Sequence, residues 1–97
     1  MNNGDTLVSK WGYDQTNVDF YIVLKRTPKM VTVTKVKVDQ RATGDMTYTA
    51  TPSIPLVPVG PTKSFRIKEY RGDPYVKIAH GSAYVWDGTP QKGTSYA

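Results

Sequence analysis

Apolar and polar positions alternate along much of this chain, and the clearest run is 18–26. Val18, Phe20, Ile22 and Leu24 fall on one parity, and Asp19, Tyr21, Val23 and Lys25 on the other. A period of two is the mark of a strand with one buried face. It predicts a strand over 18–26 with Tyr21 on its outer face. Similar runs predict strands over 5–11, 30–38, 63–70, 74–79 and 82–87. In 63–70, Phe65 and Ile67 share a face opposite Arg66, Lys68 and Tyr70; in 82–87, Tyr84 and Trp86 share a face. Residues 30–38 switch phase, because Val31 and Val33 have one parity and Val36 and Val38 the other. Such a switch predicts a bulge or sharp bend near Thr34 and Lys35, or a strand shared between two faces.

Between these runs the chain is punctuated. Residues 12–17 (GYDQTN) and 39–45 (DQRATGD) read as loops, and 26–29 (RTPK) as a short turn. Gly72-Asp73 and His80-Gly81 supply further turns. In 50–61, prolines recur at 52, 55, 58 and 61, the three-residue period of a polyproline II helix. Such a segment is either a PxxP ligand for an SH3- or WW-type domain or an extended edge segment. The segment is too apolar for a free ligand peptide, which favours the edge. On that reading Ile54, Leu56, Val57 and Val59 pack on the core and the prolines block further pairing.

Helix signals are almost absent, while Val, Thr, Tyr, Gly and Pro are frequent. The expected fold is all-β, with five to seven short strands and no substantial helix. A small antiparallel barrel or sandwich fits, an SH3-like barrel being the best single guess. The 97 residues are read as one β domain over 1–97, with 39–62 a loop and Pro-rich extended segment within it. A chain this short buries about 60–65% of its unfolded surface. Tyr96 is an aromatic able to pin the chain's end to the domain.

Composition narrows the setting. There is no cysteine, so no disulfide and no thiolate chemistry, which favours a reducing compartment. No apolar run approaches the ~20 residues of a membrane span, and MNNGDTLVSKWG lacks the basic head and apolar stretch of a signal peptide. A cytoplasmic protein without membrane contact is expected. The net charge is +5, and it is uneven. Lys25, Arg26, Lys29, Lys35, Lys37 and Arg41 face only Asp39 in one block; Lys63, Arg66, Lys68, Arg71 and Lys77 face Glu69 and Asp73 in another. If these blocks pair, Lys35, Lys37, Arg66 and Lys68 form a basic face suited to polyanions. The plainer account is that they keep strand edges soluble.

Catalytic chemistry is hard to find. With one histidine and no cysteine, no metal set is expected. His80 beside Gly81 reads as a solvated turn residue rather than part of a triad with Ser82. Asp14, Asp19 and Asp87 read as turn caps rather than an acid–base pair. No P-loop or GxGxxG is present. The chain is therefore expected to be no enzyme and to need no cofactor.

Binding chemistry is richer. Trp11, Tyr13, Asp14, Gln15, Asn17 and Tyr21 offer rings, donors and acceptors near one end, and Trp86 and Asp87 offer the same types near the other. If the first and last strands are neighbours these groups converge. Rings stack on bases, while amides and carboxylates read their edges. Otherwise the tryptophans belong to the core and the polar residues satisfy their own loop.

Three stretches, GDTLVSKWGYDQTNVDFYIVLKRT, VKI at 76–78 and YVWDGTPQKGTSYA, resemble a family of small uncharacterised bacteriophage and mobile-element proteins. In that family a WGYDQTN-DFY block pairs with a WDG-P block ending in YA. The resemblance spares only the middle, roughly 39–62. It implies a phage or mobile-element product in the cytoplasm of a bacterial host cell, and brings no activity, fold or ligand with it. The resulting expectation is a non-enzymatic accessory protein, monomeric or weakly dimeric, that binds nucleic acid through a basic β face. The alternative is a module that binds and modulates a host protein. A third reading is a pocket for a small nucleotide-like ligand.

Overall fold

The second predicted strand lacks a free face. The computed structural model describes residues 1–12, 15–78 and 81–94, and among them both parities of that strand meet apolar surface. The strands are β1 (Thr6–Trp11), β2 (Asn17–Arg26), β3 (Met30–Val36), β4 (Val38–Gly44), β5 (Thr47–Pro52), β6 (Lys63–Arg66), β7 (Lys68–Tyr70), β8 (Asp73–Ile78), β9 (Gly81–Val85) and β10 (Gln91–Thr94). The fold is all-β and antiparallel, as its alternation and turn residues require. Seven strands form one sheet in the order β6-β3-β2-β1-β9-β8-β7, and three form a second in the order β10-β5-β4.

The large sheet curls into a nearly closed barrel, because β6 and β7 are two halves of one strand. Only Ile67 separates them. The first half pairs with β3 and the second with β8, while the Ile67 N–H donates to the Lys29 carbonyl at 2.9 Å. One stretch thus serves both edges of the sheet. The β7–β8 connection is a two-residue turn at Arg71 and Gly72, both with positive φ (51° and 87°). That is the handedness a tight hairpin needs, and it lies one residue earlier than the Gly72-Asp73 turn expected from sequence.

Two apolar clusters result. Leu7, Val23, Val31, Val33, Val76, Ile78 and Ala83 fill the barrel interior. Val18, Phe20, Val36, Tyr48 and Ala50 lie between the barrel's outer wall and the second sheet. β2 and β3 feed both. This explains the phase switch in β3: Val31 and Val33 point into the barrel, Val36 out toward the second sheet. The strand is shared between two faces, and no bulge is needed near Thr34 and Lys35. The register shift between β2 and β3 falls instead at Leu24, between Val23 and Lys25.

The chain has more strands than the five to seven expected. All but the last residue of the 39–45 stretch is strand β4, not a loop, and it forms a hairpin with β5 through a turn at Asp45 and Met46. β5 runs through Pro52, which is buried and faces Val38. β10, inside the Gly- and Pro-rich tail, completes that sheet against β5. The Pro-rich stretch does cover an edge: Val59 N–H donates to Lys35 O and Lys37 N–H to Val57 O, each at 2.8 Å, and Val36 bridges Pro58. Its aliphatic side chains do not pack on the core as expected. Ile54 is 94% exposed, and Leu56, Val57 and Val59 are also exposed, because the backbone rather than the side chains is what β3 requires there. His80 and Tyr96 lie outside the described residues. No described helix is long and apolar enough to cross a membrane.

Candidate functional site at the mouth of the barrel

The inward parity of β1 and β2 is apolar at one end of the barrel and polar at the other. Register sets Leu7 beside Tyr21, Ser9 beside Asp19 and Trp11 beside Asn17. Across β2, Tyr21 lies beside Lys35 and Val23 beside Val33. Val33 in turn lies beside Lys63, and Val31 beside Phe65. Antiparallel partners share a face, so Trp11, Asp19, Tyr21, Val33, Lys35, Lys63 and Phe65 converge toward one mouth, while Leu7, Val23 and Val31 stay in the core. There they line a cavity of about 240 Å³ formed by Trp11, Asp19, Tyr21, Val33, Lys35, Lys63, Phe65 and Ile78, with Gly60 and Pro61 at its rim.

The cavity follows from how the barrel closes. β7 and β8 are hydrogen-bonded over Lys68–Tyr70 and Asp73–Tyr75. Beyond that point β6 runs beside the later part of β8 without a ladder between the described residues. Lys63 and Phe65 come from one side of this gap and Ile78 from the other.

Polar contacts organise the floor. The Trp11 indole Nε1–H donates to Asp19 Oδ2 at 2.6 Å. The Lys35 ammonium stands 3.3 Å from Asp19 Oδ1, with the carboxylate side chain 14% exposed and the lysine 45%. Asp19 is thus held by an indole and a cation, which leaves Lys63 as an additional positive charge at the mouth. Burial, and then the nearby Asp19 charge, raise the Tyr21 phenol above its ordinary 10.0, so it remains a neutral donor at physiological pH. The Ser9 hydroxyl, 1% exposed on the same inward face, has no hydrogen-bond partner among the described residues.

The backbone beside this mouth has little room at Gly12. Gly12 has φ +134°, and a Cβ there would collide with the Gln15 carbonyl. Gln15 Nε2 donates to Asn17 Oδ1 at 3.1 Å. Thr16 is tied to β10, its N–H donating to Thr94 Oγ1 at 2.8 Å and its carbonyl accepting from Thr94 N–H at 3.0 Å.

The expected binding residues therefore separate into groups. Tyr21 is on the barrel's inner face, not its outer one, since the closed sheet makes the Asp19–Tyr21–Val23 parity its interior. Lys35 joins it at the mouth. Gln15 and Asn17 bond each other beside the mouth, while Tyr13 and Asp14 lie outside the described residues. Arg66 and Lys68 are exposed on the outer wall, because Phe65 takes the inward parity. Lys37 is exposed where the chain leaves β3. Lys35 and Arg66 thus stand on opposite faces, and the four cations do not make one continuous face.

Trp86 and Asp87 do not join the cavity. β1 and β9 are neighbours as envisaged, but Trp86 N–H bonds Thr6 O, at the far end of β1 from Trp11. The Trp86 ring packs edge-on against Phe20, centroids 5.5 Å apart at 75°, and its Nε1–H donates to Thr89 O at 2.7 Å. Asp87 accepts from Thr89 Oγ1 and N–H at 2.6 and 2.9 Å. Those two bonds, the hydroxyl's first, hold its carboxyl below its ordinary 3.8. It is a turn cap.

Lys63 and Phe65 carry no site signal of their own in the sequence, and Asp19 is a site residue rather than the expected cap. Their signal was parity: Asp19 with Tyr21, and Lys63 with Phe65. Among the described residues no three His, Asp or Glu side chains gather as a metal site. No family model, curated protein or solved structure matches the chain.

Proposed function

We infer that this protein is a non-enzymatic binding module whose barrel mouth takes an unpaired base of a nucleic-acid strand. The observation that carries this reading is the meeting of three rings, Trp11, Tyr21 and Phe65, with two ammonium groups, Lys35 and Lys63, around one cavity. Rings stack on any base, and base–aromatic stacking contributes about 1–3 kcal/mol each. Lysines beside the opening neutralise the flanking phosphates. The neutral Tyr21 hydroxyl, on the cavity wall, supplies a polar group to a base edge. This moves nucleic-acid binding from the outer wall to the mouth, with Lys37 a further phosphate contact. The resemblance to phage proteins fits a role in the cytoplasm of a bacterial host.

The test is fluorescence anisotropy with labelled single-stranded DNA and RNA over a salt series. Lys35→Ala/Lys63→Ala is expected to weaken binding and to flatten the log–log salt slope by about 1.4, at ~0.7 per phosphate on single strands. Arg66→Ala/Lys68→Ala is expected to matter less. A mouth variant indistinguishable from wild type would sink this reading.

A second reading is supported by a separate observation: Ile54, Leu56, Val57 and Val59 form an exposed apolar ridge, which fits docking on a host protein. Recovery of one bacterial protein after nuclease treatment, lost with Ile54→Ser/Leu56→Ser and retained with the lysine variant, would favour it.

A further inference from the structure

The barrel has almost no free edge, but the second sheet has one. Its β10 side is covered where Thr16 bonds Thr94. On the other side β4 pairs, among the described residues, only with β5, and all its residues after Val38 are exposed. Such an edge offers a row of unused backbone groups to another strand.

The register shows which groups these are. Ser53 N–H bonds Lys37 O at 2.9 Å, so Lys37 turns its backbone toward the β5 side. Antiparallel ladders alternate bonded and non-bonded pairs. Asp39 and Arg41, facing Thr51 and Thr49, therefore also turn theirs inward. Val38, Gln40 and Ala42 turn their N–H and C=O groups outward, away from β5.

We propose that β4 pairs antiparallel with β4 of a second copy of this chain, about a two-fold axis at Gln40. Gln40 then meets Gln40 of the second copy and exchanges both backbone bonds. Val38 meets Ala42 of the second copy in the next bonded pair. Between them fall the non-bonded pairs, in which side chains stand closest. These set Asp39 against Arg41 of the second copy, and Arg41 against its Asp39. The strand is charge-complementary to itself in the one register where its outward backbone groups also match. This is an isologous contact, and it joins two three-stranded sheets into one of six. A contact of about five residues per chain falls below the ~1,000 Å² of a lasting interface, so the dimer forms reversibly, with a dissociation constant between about 1 μM and 1 mM.

Sedimentation across that concentration range tests the pairing, with circular dichroism confirming that each variant folds. Wild type is expected to shift from monomer to dimer. Asp39→Arg and Arg41→Asp each set like charges together twice and are expected to stay monomeric. Asp39→Arg/Arg41→Asp restores opposite pairs and is expected to dimerise again. Gln40→Pro removes only an outward N–H and is expected to be monomeric. A wild type monomeric at about 1 mM overturns the proposal. So does a dimer that the two single charge reversals leave unchanged.

Discussion

Tyr21 links the cavity to pH. Its phenol is raised above 10.0 by burial and by Asp19, so the folded state holds that proton more tightly than the unfolded chain. The associated stability is fully present below pH 10.0 and is lost as pH rises through the folded value. Thermal melts at increasing alkaline pH are expected to fall more steeply for wild type than for Tyr21→Phe. Parallel curves would show that the phenol is as well solvated folded as unfolded. Gly93 controls the other layer: a Cβ there would overlap the Tyr48 ring, whose hydroxyl donates to Thr16 O at 3.1 Å. Gly93→Ala is expected to cost about 1–3 kcal/mol, lowering the melting temperature by about 4–8 °C per kcal/mol. An unchanged melt would mean that the ring moves freely aside.

At the scale of elements, β2 matters most because it has two inward faces. Phe20, fully buried, packs on Val36 and the second sheet, while Val23 fills the barrel. Phe20→Ala is expected to destabilise by about 3–5 kcal/mol, measured by urea titration; a cost below about 1 kcal/mol would mean the second sheet adjusts to fill the space. The strands legible in the sequence were those whose alternation is anchored by core side chains, such as Leu7 in β1 and Phe20 in β2. β4 was illegible because nearly all of it is exposed and so carries no alternation. β5 did alternate, Tyr48, Ala50 and Pro52 being buried, but its proline resembled a breaker. β10 has no aliphatic side chain to mark it. The site was partly legible for the same reason. Trp11 and Tyr21 stand out as aromatic residues, whereas Lys63 and Phe65 become neighbours of Lys35 only once 63–70 closes the barrel.

Across the whole molecule, each layer contains one of the two tryptophans. Trp11 lies at the barrel mouth and Trp86 on the outer cluster. Since β1, β2 and β3 are common to both layers, the layers are expected to unfold together. Urea transitions followed by fluorescence in Trp11→Phe and Trp86→Phe, each compared with circular dichroism of the same variant, should coincide with their own backbone signal. A fluorescence transition that precedes the backbone in either variant would reveal a layer that melts alone.

The placing of β1 between β2 and β9 also affects how the chain emerges during synthesis. β2 follows β1 at once, but the other partner of Leu7 is Val85. At roughly 5–20 residues per second, the 78 residues from Val8 to Val85 take about 4–16 s to translate. For those seconds a strand destined for the middle of a sheet has one bare edge, and the barrel cannot close around it until β9 has been made.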